Sequence, residues 1–187
     1  MIKAIIFDFF GVIRTDAYEA WLASHGLKKE GDYLEISRLQ DVGDISNEEF
    51  YERLSKLFGS RVTRKDFDAT AKIHHDTLQL ITALKKHYAI AVLSNSPLGL
   101  LRGIIKDNNL EKYFDEIIIS SEVNLVKPSP EIFTYTLRKL GVKPQETIFI
   151  DDNSKHVEAA QKADIQGFQF VSAARLGEDL RRLGLQF

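Results

Sequence analysis

With 187 residues, 44% hydrophobic and 28% charged, the chain suits one compact core, with room for a small inserted module. A formal net charge of −2 speaks against a general nucleic-acid binder, which would carry a basic excess. The absence of cysteine excludes disulfides, thiolate catalysis and thiolate zinc sites and fits a cytoplasmic protein, and no apolar run approaches the ~20 residues of a membrane span.

The first segment, Met1 to Ile13, pairs a lysine with an apolar stretch, as a signal peptide would. Asp8 interrupts that stretch and no small-residue cleavage site follows, so Ile2–Phe7 reads as a strand. From Ile13 to Asp76 no strand-like run occurs. Ser46 and Glu49 instead form a capping box, with Ile45 and Phe50 placed as a hydrophobic staple; Thr63 and Asp66, with Val62 and Phe67, repeat the pattern. Phe50, Leu54 and Leu57 then make a stripe at helical spacing. Apolar runs return at Ala89–Leu93, Glu116–Ile119, Thr147–Ile150 and Gly167–Val171, without the polar alternation of a half-exposed sheet. A helix is expected over Pro130–Leu140, capped by Ser129, closed by Gly141 and burying Phe133, Leu137 and Leu140. The expectation is a doubly wound α/β fold with five mainly parallel strands, its core formed by residues 1–13 and 77–187 and an inserted helical cap by residues 14–76.

Open parallel sheets bind ligands at the carboxyl ends of their strands. There the strands deliver Asp8, then Ser94 and Asn95, then Asp151 and Asp152, while Lys127 precedes the Pro130 helix. Clustered carboxylates repel one another unless a cation holds them, and oxygen donors without Cys favour Mg²⁺. A carboxylate can attack phosphorus to give an acyl-phosphate, lysine neutralises the charge, and hydroxyl and amide groups hold phosphate oxygens. Gly11 would let the backbone turn sharply just past the nucleophile.

FDFFGV (Phe7–Val12), LSN (Leu93–Asn95), KPSPEIF (Lys127–Phe133) and IDDN (Ile150–Asn153) resemble, in order, the four motifs of the haloacid dehalogenase superfamily. The resemblance covers the whole chain, with the helical interval in the place of that family's cap. It implies that Asp8 is the nucleophile and a metal ligand and that Ser94 and Asn95 hold phosphate. It makes Lys127 the third-motif lysine and Asp152 a direct metal ligand. Asp151 then acts through a bound water, and the Phe10 carbonyl completes the protein's share of the metal shell.

The position two after the nucleophile is an aspartate in the family's phosphatases, the general acid that protonates the leaving alcohol. Phe10 can neither give nor take a proton, and general acid–base help is typically worth ~10²–10⁴-fold. Dehalogenases of the same superfamily place an aromatic residue there, since halide leaves without protonation, but they tend to lose the acidic pair that this chain keeps. Three readings follow: a Mg²⁺-dependent phosphatase of a small phosphorylated metabolite such as a sugar phosphate, a 2-haloacid dehalogenase, and a non-catalytic phosphometabolite-binding protein. His74 and His75 point about 100° apart on a helix and are read as surface or hinge residues rather than metal ligands. Tyr18 and Trp21 are read as cap core, His156 as outside the site, Arg14 as a surface arginine and Arg181–Arg182 as a solvated face.

Overall fold

The computed structural model describes residues 1–28, 30–68 and 71–187, and of Asp68 the backbone alone. Strands β1 (Ala4–Phe7), β2 (Ala89–Ser94), β3 (Glu116–Ile119), β4 (Thr147–Asp151) and β5 (Gln166–Gln169) form one parallel sheet in the order β3-β2-β1-β4-β5. The central strand explains why the runs lack alternation. Ile5 and Phe7 belong to the apolar cluster on one face and Ile6 to the cluster on the other, and all are fully buried. The outer strand β5 is less buried and begins and ends slightly earlier than Gly167–Val171, because Phe170 and Val171 have already left the sheet.

Ten α-helices are described: α1 (Ala17–Ser24), α2 (Asp32–Asp41), α3 (Asn47–Phe58), α4 (Arg64–Asp68), α5 (His75–Leu84), α6 (Leu100–Asp107), α7 (Ser120–Val123), α8 (Pro130–Leu140), α9 (Ser154–Lys162) and α10 (Ala173–Arg182). Helices α5, α6 and α10 cover one sheet face through Leu78, Ile81, Ile104, Ile105 and Leu180; α8 and α9 cover the other through Ile132, Phe133 and Ala160. None of the described helices is long and apolar enough to cross a membrane.

Helices α1 to α4 close round their own apolar cluster, centred on Trp21, Leu22, Tyr33, Phe50, Leu54 and Phe67. Ser46 caps α3 as expected, accepting from Glu49 N–H at 3.2 Å, and Ile45 and Phe50 are both buried. The Glu49 carboxylate pairs with Arg53 rather than completing the box. Asp66 does reach back, accepting from Thr63 N–H at 2.7 Å. Leu57 departs from the expected stripe at 39% exposure; Phe58, one turn past the buried Leu54, packs on the cluster instead. At α8, Pro130 opens the helix and Gly141 ends it at φ +66°, but the Ser129 hydroxyl donates to Glu131 instead of capping. Leu140 is half-buried against the core rather than part of its interior.

The inserted helices join the sheet region at a short double crossing. Thr15 N–H donates to Lys72 O at 2.9 Å and His74 N–H to Ile13 O at 2.8 Å. His74 sits at the start of α5, beside this crossing, its Nδ1 3.0 Å from Val12 O and its Nε2 3.3 Å from Thr15 Oγ1.

Candidate active site

Sheet order alone brings the acidic groups together. The chain runs from β1 to β2 on one side and later to β4 on the other, so β1 and β4 flank the switch point where open α/β sheets bind ligands. Phe7 is in register with Ile150, which sets Asp8 beside Asp151 one residue on, and Asp8 N–H donates to Ile150 O at 2.8 Å. Carboxylate oxygens of Asp8, Asp151 and Asp152 all lie within 4.8 Å of one another. Gly11, at φ +83°, lies so close to Asp152 that a Cβ there would overlap its carboxylate.

Lys127 enters this cluster from the segment between α7 and α8. Its ammonium, on a side chain 1% exposed, stands 2.8 Å from Asp8 Oδ1 and 2.6 Å from Asp151 Oδ2. Asp8 Oδ1 also accepts from Phe9 N–H at 2.7 Å. Asp151 accepts from Asn153 N–H at 2.9 Å and from His156 Nδ1, which lies 3.1 Å and 3.0 Å from its two oxygens. As a carboxylate only accepts, Nδ1 is the protonated ring nitrogen here.

One ammonium cannot balance three carboxylates. Burial is the largest influence on Asp8, and the Asp151 charge adds to it, holding Asp8 well above the usual carboxylate range although Lys127 pulls it down. Burial would raise Asp151 as well, but Lys127 and His156 outweigh it and bring the group down. The lysine is shared, and the outcome favours Asp151 because it has two further donors. For Lys127, burial disfavours the charge, yet Asp151 and Asp8 overcome it and raise its pKa. Asp152, raised first by burial and then by Asp151, is pushed up to about 6. The pattern describes a site with surplus negative charge that one cation does not offset.

The remaining residues of the sequence reading are spread more widely. Ser94 ends β2, fully buried. The side chain of Asn95 is committed to the protein: Nδ2 donates to Lys127 O and Oδ1 accepts from Lys127 N–H, both at 2.9 Å. It therefore grips the backbone that carries the lysine. Phe10 is half-buried and packs edge-to-face on Phe9 at 5.2 Å. Arg14 is not a surface arginine; at 9% exposure it lines a small cavity beside Phe10 and Tyr18. Trp21 is buried in the helical cluster, while Tyr18 packs against that cluster and also faces the cavity. Arg181 and Arg182 are exposed, as expected. His156 was missed as a neighbour of the site. Its signal was its place in the first turn of the helix that follows the acidic pair.

The profile of the haloacid dehalogenase-like hydrolases matches residues 2–164. A D-ribitol-5-phosphate phosphatase of Bacteroides thetaiotaomicron is 27% identical, over 96% of this chain and 97% of its own. An (S)-2-haloacid dehalogenase of Burkholderia cepacia is 29% identical, over 54% of this chain and 43% of its own. Among solved structures, a HAD family enzyme of Bacteroides thetaiotaomicron in complex with magnesium superposes with a TM-score of 0.77 at 26% identity, covering 99% of each chain. Three motifs at strand ends and one at the start of α8, a lysine shared by two buried carboxylates and a match over most of the chain agree: the chain belongs to the haloacid dehalogenase-like hydrolases.

Proposed function

We propose that the protein is a Mg²⁺-dependent phosphatase of a small phosphorylated metabolite such as a sugar phosphate, working through an aspartyl-phosphate on Asp8. The observation that carries the reading is the buried Asp8–Lys127–Asp151 array with Asp152 within 4.8 Å. The full-length similarity to a sugar-alcohol phosphate phosphatase supports the substrate class.

The donor set fits the ion: all oxygen, three carboxylates, and surplus negative charge that raises Asp8 and Asp152. Asp8, Asp152 and the Phe10 carbonyl would hold it, with Asp151, already engaged by Lys127 and His156, behind them. When bound, Mg²⁺ would neutralise charge on the phosphoryl oxygens.

Asp8 Oδ1 is occupied by Phe9 N–H and Lys127, so Oδ2 is the oxygen left to attack. A bond forms from Oδ2 to phosphorus and the bond to the leaving oxygen breaks, its electron pair staying on that oxygen, which takes its proton from solvent because Phe10 has none to give. Water then attacks phosphorus, inorganic phosphate departs and the Asp8 carboxylate is restored. Lys127 holds charge at the transition state, and Ser94 Oγ, with Asn95 beside it, faces the phosphoryl group. Helices of residues 14–76 act as a lid over a core of residues 1–13 and 77–187, excluding water and contacting the leaving group.

Phe10 favours a second reading, 2-haloacid dehalogenase, because a halide departs without the proton that Phe10 cannot supply. A panel of phosphorylated metabolites assayed with and without Mg²⁺, with a 2-haloacid alongside, separates the two. Release of phosphate only with Mg²⁺ supports the phosphatase; release of halide without metal, and no phosphate, overturns it.

A further inference from the structure

Strand register places one serine between the inserted helices and the active rim. Ile119, the last residue of β3, pairs with Ser94, the last of β2, so Ser120 emerges beside Asn95 and Ser96. Ser120 and Ser96 are both fully buried. The Ser120 hydroxyl oxygen accepts from Ser96 N–H at 2.9 Å, and the hydroxyl donates to Asp41 O at 2.5 Å, 79 residues away in the sequence. Asp41 is the last residue of α2, and the amides that follow it, those of Val42, Gly43 and Asp44, donate to Arg38, Gln40 and Leu39. The last carbonyls of a helix look outside it for donors, and this one is met by a serine of another element.

A hydroxyl has one proton to give. Ser96 O lies 3.3 Å from the same Ser120 oxygen, so two carbonyls compete for that proton and the nearer, on α2, receives it. Donation in turn polarises the hydroxyl oxygen and strengthens the bond it accepts from Ser96 N–H. With α2 withdrawn, the proton turns to Ser96 O and the hydroxyl closes on the loop alone. A second tie reaches the same loop: the buried Gln40 donates to Asn47 Oδ1 at 3.1 Å, and Asn47 Nδ2 donates to Leu98 O at 3.4 Å. Asn95, the residue before Ser96, holds the Lys127 backbone through both of its side-chain groups. The contacts therefore run from α2 to Ser120, to the backbone of Ser96 and Asn95, and on to the segment that carries Lys127.

We propose that Ser120 is a positioning residue for the reaction: its hydroxyl makes the alignment of Ser94, Asn95 and Lys127 depend on the seating of α2. This rests on the phosphatase reading and adds to it a residue outside the four motifs. Lys127 acts on charge that grows in the transition state, so its misalignment lowers kcat more than it raises KM.

The experiment measures kcat and KM for an aryl phosphate with Mg²⁺, and hydrogen exchange of the peptides spanning Ser94–Leu98 and Arg38–Ile45, in the same set of variants. Ser120→Ala should lower kcat by ~3–30-fold with KM moving less than ~3-fold, the range that one or two buried hydrogen bonds supply, and should speed exchange in both peptides together. Ser120→Cys, which keeps a weak donor and acceptor in nearly the same volume, should recover part of each change; if Ser120→Ala fails to fold, Ser120→Cys carries the comparison with smaller changes. Combined with Asn95→Ala, the loss in kcat should be less than the product of the two single losses, because both act through Lys127. A serine with only a structural role would lower Tm without the kcat–KM split, and its loss would multiply with that of Asn95→Ala. Either of those results, or faster exchange in one peptide with the other unchanged, overturns the proposal. A wild type that turns over no phosphate ester overturns the phosphatase reading, and the joint exchange response then decides the coupling by itself.

Discussion

Replacing Lys127 with Met removes the charge at the centre of the site while conserving most of its volume. At an exposed position an ion pair contributes ~0–1 kcal/mol. Here the side chains of Lys127, Asp8 and Asp151 are 1%, 10% and 0% exposed, at 2.8 and 2.6 Å. Removing one partner of such a buried array leaves uncompensated charge and costs about 3–5 kcal/mol. For a domain of this size, ~2–4 °C per kcal/mol makes that a fall in Tm of ~6–20 °C. The pH dependence follows from the partners. Lys127 has a folded pKa above its ordinary 10.5, so its contribution is present below that value and is lost only as pH rises through the raised one. Asp151, depressed, contributes above its ordinary 3.8 and loses the contribution as pH falls towards about 2. The deficit of Lys127→Met should be full at pH 7–8 and shrink in acid, and adding Asp151→Asn should restore part of it. Thermal unfolding of metal-free protein across pH gives the answer. A deficit below ~1 kcal/mol, or one that the second substitution leaves untouched, would refute the reasoning.

Asp152 is raised to about 6 from an ordinary 3.8, so without metal its charge costs stability increasingly as pH rises between those values. Asp152→Asn should therefore stabilise the metal-free protein by about 1–2 kcal/mol at pH 8, discounted for its partial exposure, and hardly at all at pH 4; saturating Mg²⁺ should abolish the gain. Equal gains at both pH values in unfolding scans would count against the assigned charge. Phe10→Asp should raise kcat/KM on an alkyl phosphate by some part of ~10²–10⁴-fold and much less on an aryl phosphate, whose leaving group needs little protonation. Equal change on both would show that Phe10 does not stand in for a missing acid. Asn95→Ala removes both hydrogen bonds to the Lys127 backbone and should cost ~1–3 kcal/mol together with a lower kcat, while Asn95→Asp, which keeps the acceptor for Lys127 N–H, should recover part of each. Unchanged stability in Asn95→Ala would remove that grip from the account.

Much of this was legible in the sequence because it depends on local pattern. Strands buried on both faces declare themselves as unbroken apolar runs, and parallel order places their carboxyl ends on one rim, so Asp8, Asp151 and Lys127 could be placed together without coordinates. What pattern could not give was the use made of each polar group across the fold. Asn95 reads as a phosphate ligand beside Ser94, yet its amide is engaged by a backbone 32 residues away. Arg14 reads as surface because nothing local shows that the inserted helices fold over it. His156 was passed over because its partner is a carboxylate on the preceding strand rather than the substrate. The Leu57–Phe58 exchange is a smaller case, in which two apolar neighbours compete for one buried direction and tertiary packing selects between them.

The central claim is a covalent intermediate on Asp8. The most direct measurement is acid quenching during turnover of an aryl phosphate with Mg²⁺, followed by mass mapping of the peptide containing Asp8. A phosphoryl adduct on that peptide, absent when Mg²⁺ is withheld and absent in Asp8→Asn together with turnover, is the predicted result. Turnover that survives Asp8→Asn would contradict it.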